Sequence, residues 1–144
     1  RGMFVQHSIR VGRPIEEVSA ALAAAPEGWL PSLVGPSTAG NVIAGFGLRK
    51  KVTIKVGEPV TAGAWTEIPI SWQASYIKKL FPLMTGSIQV DPIGDRATTL
   101  TVCGSYELPP GRLVEHLDDV LMHRVAEATV TELAKIVATR LEVA

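Results

Sequence analysis

From Arg112 to Glu142 the chain contains neither glycine nor proline, and Pro109, Pro110 and Gly111 stand directly before that stretch. Such a run predicts one continuous helix, roughly 45 Å long at about 1.5 Å per residue. Its apolar residues point two ways. Leu113, Leu117, Val120 and Leu121 define one direction. Met122, Val125, Ala126, Val130, Leu133, Ile136 and Val137 define another. An apolar helix face must be covered by another layer of structure. Two directions imply two packing surfaces, one for a sheet and one for short helices or a partner subunit, or else a bend.

The residues upstream supply the sheet. "MFVQHSIRV" alternates, with Met3, Val5, Ile9 and Val11 on one face and Gln6, Ser8 and Arg10 on the other, the pattern of a half-buried strand. His7 falls on the apolar face. "RPIEEVSAALAAAPEGWLP" reads as a helix: Pro14 suits its first position, Glu16 and Glu17 suit its positive end, and Ile15, Val18, Leu22 and Ala25 repeat at helical spacing. Pro26 stops it. "EGWLPSLVG" predicts a second short helix or a turn. Between Asn41 and Leu108 the period changes. "VIAGFGL" is a weak strand and "KKVTIKVGEP" a strong one, with Val52, Ile54 and Val56 together. "AWTEIPISWQAS" sets Ile68, Ile70 and Trp72 on one face, and its Pro69 points to an edge position or a bulge. "GSIQV", the turn "DPIGDR" and "ATTLTVCGSYEL" complete a hairpin. The order is strand, one or two helices, about six strands and a long helix, an α+β arrangement.

Composition narrows the function. In 144 residues, 47% are apolar and 19% charged, which suits one globular domain spanning residues 1–144. Fourteen basic residues balance fourteen acidic ones, so no net field favours nucleic acid or an anionic membrane. The single cysteine, Cys103, lies in a strand-like run and reads as a small sheet residue. The uncharged stretch from Gly28 to Leu48 is long enough to cross a bilayer, but Pro31, Pro36 and five glycines break it into loop, short helix and strand. With no integral membrane segment and no secretory-signal layout at the start, a cytoplasmic location is expected.

The element order resembles the helix-grip superfamily of START-like lipid-transfer domains, polyketide cyclases and birch-pollen-allergen-like proteins. The resemblance rests on "VQHSIRVGRPIEEVSAAL", on the middle strand block and on "PPGRLVEHLDDVLMHRVAEATVTELAKIVATRL", and "LFPLMTGSIQV" and "HRVAEATV" look like an uncharacterised branch. It implies a curved antiparallel sheet wrapped around the C-terminal helix, with an apolar cavity between them. It further implies a hydrophobic or amphipathic ligand, lipid- or polyketide-like. A cyclase or aromatase working without metal is the enzymatic alternative, and a ligand-free interaction module or homodimer is the other.

"HLDDVLMH", from His116 to His123, has the composition of a metal site. Its spacing argues against one. His116, Asp119 and His123 share a helical stripe, but the two histidines are roughly 10.5 Å apart along the axis. One ion with metal–nitrogen bonds of about 2 Å does not reach both. A polar helix face with an Asp119–His123 pair is the reading adopted, with no metal and no cofactor. No G-x-S-x-G, P-loop, H-E-x-x-H or C-x-x-C occurs, so no catalytic residue is assigned.

The candidate pocket residues follow from strand phase and helix stripe. His7, Phe46, Ile54, Trp72 and Tyr106 come from the strands, with the Tyr106 hydroxyl and His7 as orienting polar groups. Trp29 would close the entrance, and Met122, Ala126 and Thr129 would face the cavity from the long helix. Ordinary core packing is the competing reading for each. "YIKKLFPLMTG" carries a cluster of large apolar residues between two strands, suited to a lid, a subunit contact, a shallow membrane contact or core.

Overall fold

The computed structural model describes residues 2–24, 42–43, 48–49, 51–63, 65–76, 79–80, 83–107 and 119–143. Strand β1 (Gly2–Val11) leads into helix α1 (Ile15–Ala23). Eight strands follow: β2 (Val42–Ile43), β3 (Leu48–Arg49), β4 (Lys51–Val56), β5 (Val60–Ala62), β6 (Trp65–Tyr76), β7 (Lys79–Leu80), β8 (Met84–Ile93) and β9 (Ala97–Glu107). Helix α2 (Asp119–Val143) ends the chain.

Seven strands form one sheet in the order β1-β9-β8-β6-β4, with β5 and β7 also paired to β6. Every described pairing is antiparallel. Joining the first strand to the last is the step that lets the sheet curl around α2. The helix lies chiefly along β1 and more lightly on β9. Alternation in β1 survives as expected, with Val5 and Val11 buried and Phe4, Gln6, Ser8 and Arg10 exposed.

One stripe of α2 faces inward: Ala126, Thr129, Val130, Leu133, Ala134, Val137, Ala138 and Leu141 are all buried. This is the second of the two directions seen in the sequence. The residues of the first lie outside the described ones or have side chains that do. A polar clasp fixes the far end of α2 to the end of β1. Arg13 donates from Nη1 to the Leu141 carbonyl at 2.8 Å, and the Gly12 N–H donates to Glu142 Oε2 at 2.9 Å. Helix α1 is seated by Val18 and Leu22, both buried, and by Thr66 Oγ1, which donates to Ser19 Oγ at 3.2 Å.

Four local expectations change. Pro14 caps α1 instead of opening it: its φ and ψ of −65° and 154° are extended, and its carbonyl accepts the N–H of Glu17 and of Val18. The weak strand at 42–48 is not part of the main sheet; β2 and β3 pair with each other. The turn after β8 is tighter than "DPIGDR", because β8 pairs through Ile93 and only residues 94–96 turn, with Gly94 at φ 61°. Pro69 sits in an interior strand, β6, between β8 and β4. Its carbonyl accepts from the Gly57 N–H at 2.8 Å, so its nitrogen faces the same side, opposite the break between β4 and β5. No ladder donor is lost there. The discontinuity that proline demands lies in the neighbouring strand.

Candidate functional site

The printed register turns the concave face into rungs about 7 Å apart along the strands. Ile54 pairs with Trp72, and Trp72 with Met84. Continuing the Thr85–Ser105 register by one residue sets Met84 opposite Tyr106, which pairs with Met3. The next rung is Val56, Ile70, Gly86, Gly104 and Val5. Below it come Ile68, Ile88, Val102 and His7, then Thr66, Val90, Leu100 and Ile9.

The rung with two adjacent glycines shapes the one above it. A Cβ on Gly104 would stand 2.5 Å from Trp72 Cη2 and 3.1 Å from Cζ2. The benzo edge of the indole therefore reaches from β6 across β8 and rests on the β9 backbone. A glycine inside a strand signals such close approach. Trp72 is 1% exposed, and its Nε1 is buried without a hydrogen-bond partner among the described residues. Met84 is 6% exposed and its methyl lies by Gly104.

Three of the residues proposed from sequence thus share one rung: Ile54, Trp72 and Tyr106, all buried. Ala126 and Thr129 belong to the buried stripe of α2. Because the clasp holds the C-terminal end of α2 beside Gly12 and Arg13, this half of the helix lies toward the opposite end of β1, where the Trp72 rung is. His7 faces inward as its phase predicts but is only half-buried on the edge strand. It lies two rungs from Tyr106, roughly 14 Å along the sheet. Trp29, Phe46 and the side chain of Met122 lie outside the described residues. Met84, Gly86 and Gly104 are the wall residues that sequence reasoning passed over. The signal for the glycines was their position inside strongly alternating strands.

Of the histidine–aspartate cluster only the His123 side chain is described. His123 is partly exposed, and its Nε2 lies 3.3 Å from Glu127 Oε2. The side chain of Asp119 and residues 116–118 lie outside the described ones. Among the described residues no three His, Cys, Asp or Glu side chains could hold a metal ion. Cys103 lies on the convex face, its Sγ 3.4 Å from Ser87 Oγ. No described helix is long and apolar enough to cross a membrane.

This architecture, a curved antiparallel sheet gripping a long C-terminal helix with a short helix after the first strand, is the helix-grip fold. The solved structures it is similar to include a conserved protein from Geobacillus kaustophilus, with 19% identity, 97% of this chain and 93% of that chain covered, and a TM-score of 0.58. A START superfamily protein from Mycobacterium smegmatis matches at 15% identity, 96% and 97% coverage and a TM-score of 0.57. The Zhui aromatase/cyclase from Streptomyces sp. R1128 matches at 15% identity, 99% and 94% coverage and a TM-score of 0.56. No family model matches the chain, and no curated protein does. Likeness at these identities is a likeness of fold, and fold alone does not choose a function.

Proposed function

We propose that the chain binds a hydrophobic or amphipathic small molecule between the concave sheet face and α2. The observation that carries this is the extent of the apolar wall. Helix α2 is seated on β1 and β9 and α1 on β8, β6 and β9, and the apolar face continues past both helices to Ile54 and Val56 on β4. A ligand there loses water contact at about 25 cal/mol per Å² of apolar surface covered.

Binding without chemistry is the preferred reading. The polar side chains described on the concave face are Tyr106, Thr66, Thr98 and His7, faced by Thr129 in the buried stripe of α2, with no carboxylate among them. His7 makes no hydrogen bond or ion pair to a described residue, and it stands apart from the Trp72 rung. General acid–base work needs a group within hydrogen-bond reach of the reacting atoms. The ligand-free interaction module and the homodimer find support in the exposed large apolar side chains among the described residues, Phe4, Val60, Leu83, Ile93 and Val143.

Titration with the neutral dye Nile red tests the reading. A saturable, stoichiometric fluorescence increase that sterols or aromatic ketones compete away supports it. Absence of saturable binding by dye, sterols and aromatics alike contradicts it.

A further inference from the structure

We propose that Trp72 anchors the ligand through a hydrogen bond from its indole Nε1–H to an uncharged carbonyl oxygen. The inference rests on the apolar-binding reading above and names the chemistry that site selects.

The indole has an unusual position. It is 1% exposed, and its buried Nε1 has no hydrogen-bond partner among the described residues. Buried donors are almost always paired, with protein or with water, so an orphan of this kind calls for an explanation. Packing does not remove the need. The ring is held by the sheet itself: its Cη2 edge sits against Gly104 and its rung neighbours are Ile54 and Met84. Gly104 lacks the side chain that would lift it off the backbone. A tryptophan whose only task was to fill this space would leave its one polar atom unmet, and phenylalanine or leucine would do that task without the loss.

The surroundings define the acceptor. The four rungs carry no lysine, arginine, aspartate or glutamate, and neither does the buried stripe of α2. The one titratable nitrogen heterocycle, His7, lies two rungs away on the edge strand. Among the described residues a carboxylate or phosphate at Trp72 would therefore find no countercharge, and burying it unpaired is far costlier than burying a neutral group. A ligand hydroxyl oxygen can accept the indole N–H, but its own proton then needs a second acceptor, which an indole cannot be; a carbonyl oxygen makes no such demand. What remains is a neutral acceptor on an otherwise apolar body: a ketone, quinone, ester or lactone oxygen.

Fluorene and 9-fluorenone form the matched probes, alike in shape and differing by a methylene against a carbonyl. The chain has three tryptophans, Trp29, Trp65 and Trp72, so its nitrogen-15 spectrum holds three indole N–H resonances. Trp72→Phe assigns the relevant one; if that variant does not fold, Trp29→Phe and Trp65→Phe assign it by elimination. The expected result is that fluorenone binds about tenfold more tightly than fluorene, the scale of one buried hydrogen bond. The Trp72 indole proton should move downfield with fluorenone and not with fluorene, and Trp72→Phe should abolish the preference. Equal affinities, or an indole proton that ignores the ketone, overturn the inference while leaving the apolar-binding reading intact, because fluorene still binds. Absence of binding by both probes overturns the two together.

Discussion

Gly104 lets the indole of Trp72 lie down on the sheet, and its rung neighbour Gly86 answers a different demand. A methyl on Gly104 meets the tip of an aromatic ring that could tilt. A methyl on Gly86 would overlap the Cys103 carbonyl oxygen and the Gly104 Cα, which are backbone. Gly104→Ala should cost about 1–3 kcal/mol, the usual scale of overpacking. Gly86→Ala should cost more, since strand separation is the only relief. Urea denaturation of the two variants measures both, and the reverse order would show that the ring is held more rigidly than the strands. At this scale the sequence was partly readable. Strand phase placed Ile54, Trp72 and Tyr106 inward, because one buried face forces alternation. It could not show that Nε1 has no partner, since that depends on what lies across three strands. The two glycines left no periodic trace, having no side chain to alternate.

Among the elements, α2 carries the largest single share of the core. Leu133 and Leu141, 2% and 0% exposed, should each lose about 2–5 kcal/mol on replacement by alanine. Val143, at 77% exposure on the same helix, should lose almost nothing. The clasp is a subtler matter. Glu142→Ala removes the acceptor for the Gly12 N–H at an exposed site, and should shift stability by about 1 kcal/mol or less. Thermal unfolding of the four variants checks the ranking, and a Glu142→Ala loss as large as that of Leu141→Ala would contradict it. Periodicity revealed β1, α1 and α2 because each has one buried and one wet side. It missed β5, whose three residues are all exposed, and misread Pro69, whose compatibility depends on a break in the adjacent strand. Segment 76–84 was read as a connection; within it Lys79–Leu80 forms β7 on β6. Of the rest, Met84 is buried in the core and Leu83 is exposed, while residues 77–78 and 81–82 lie outside the described ones.

For the molecule as a whole, element order predicted an α+β arrangement, and the resemblance to helix-grip proteins supplied the sheet wrapped around the long helix. The occupant of the interior was not readable, because apolar phase alone makes a packed core and an apolar binding wall look the same. A ligand that binds only the folded state stabilises it by mass action, about 2.7 kcal/mol at a hundred times its dissociation constant. Melting curves with fluorenone should therefore rise with ligand concentration, and the rise should be smaller with fluorene. The most direct measurement is native mass spectrometry of gently purified protein beside its denatured mass, repeated after incubation with neutral lipids and aromatic ketones. The account predicts an added mass, one molecule per chain, that leaves on unfolding and belongs to a neutral apolar compound bearing a carbonyl. A bare chain mass under both conditions would contradict it.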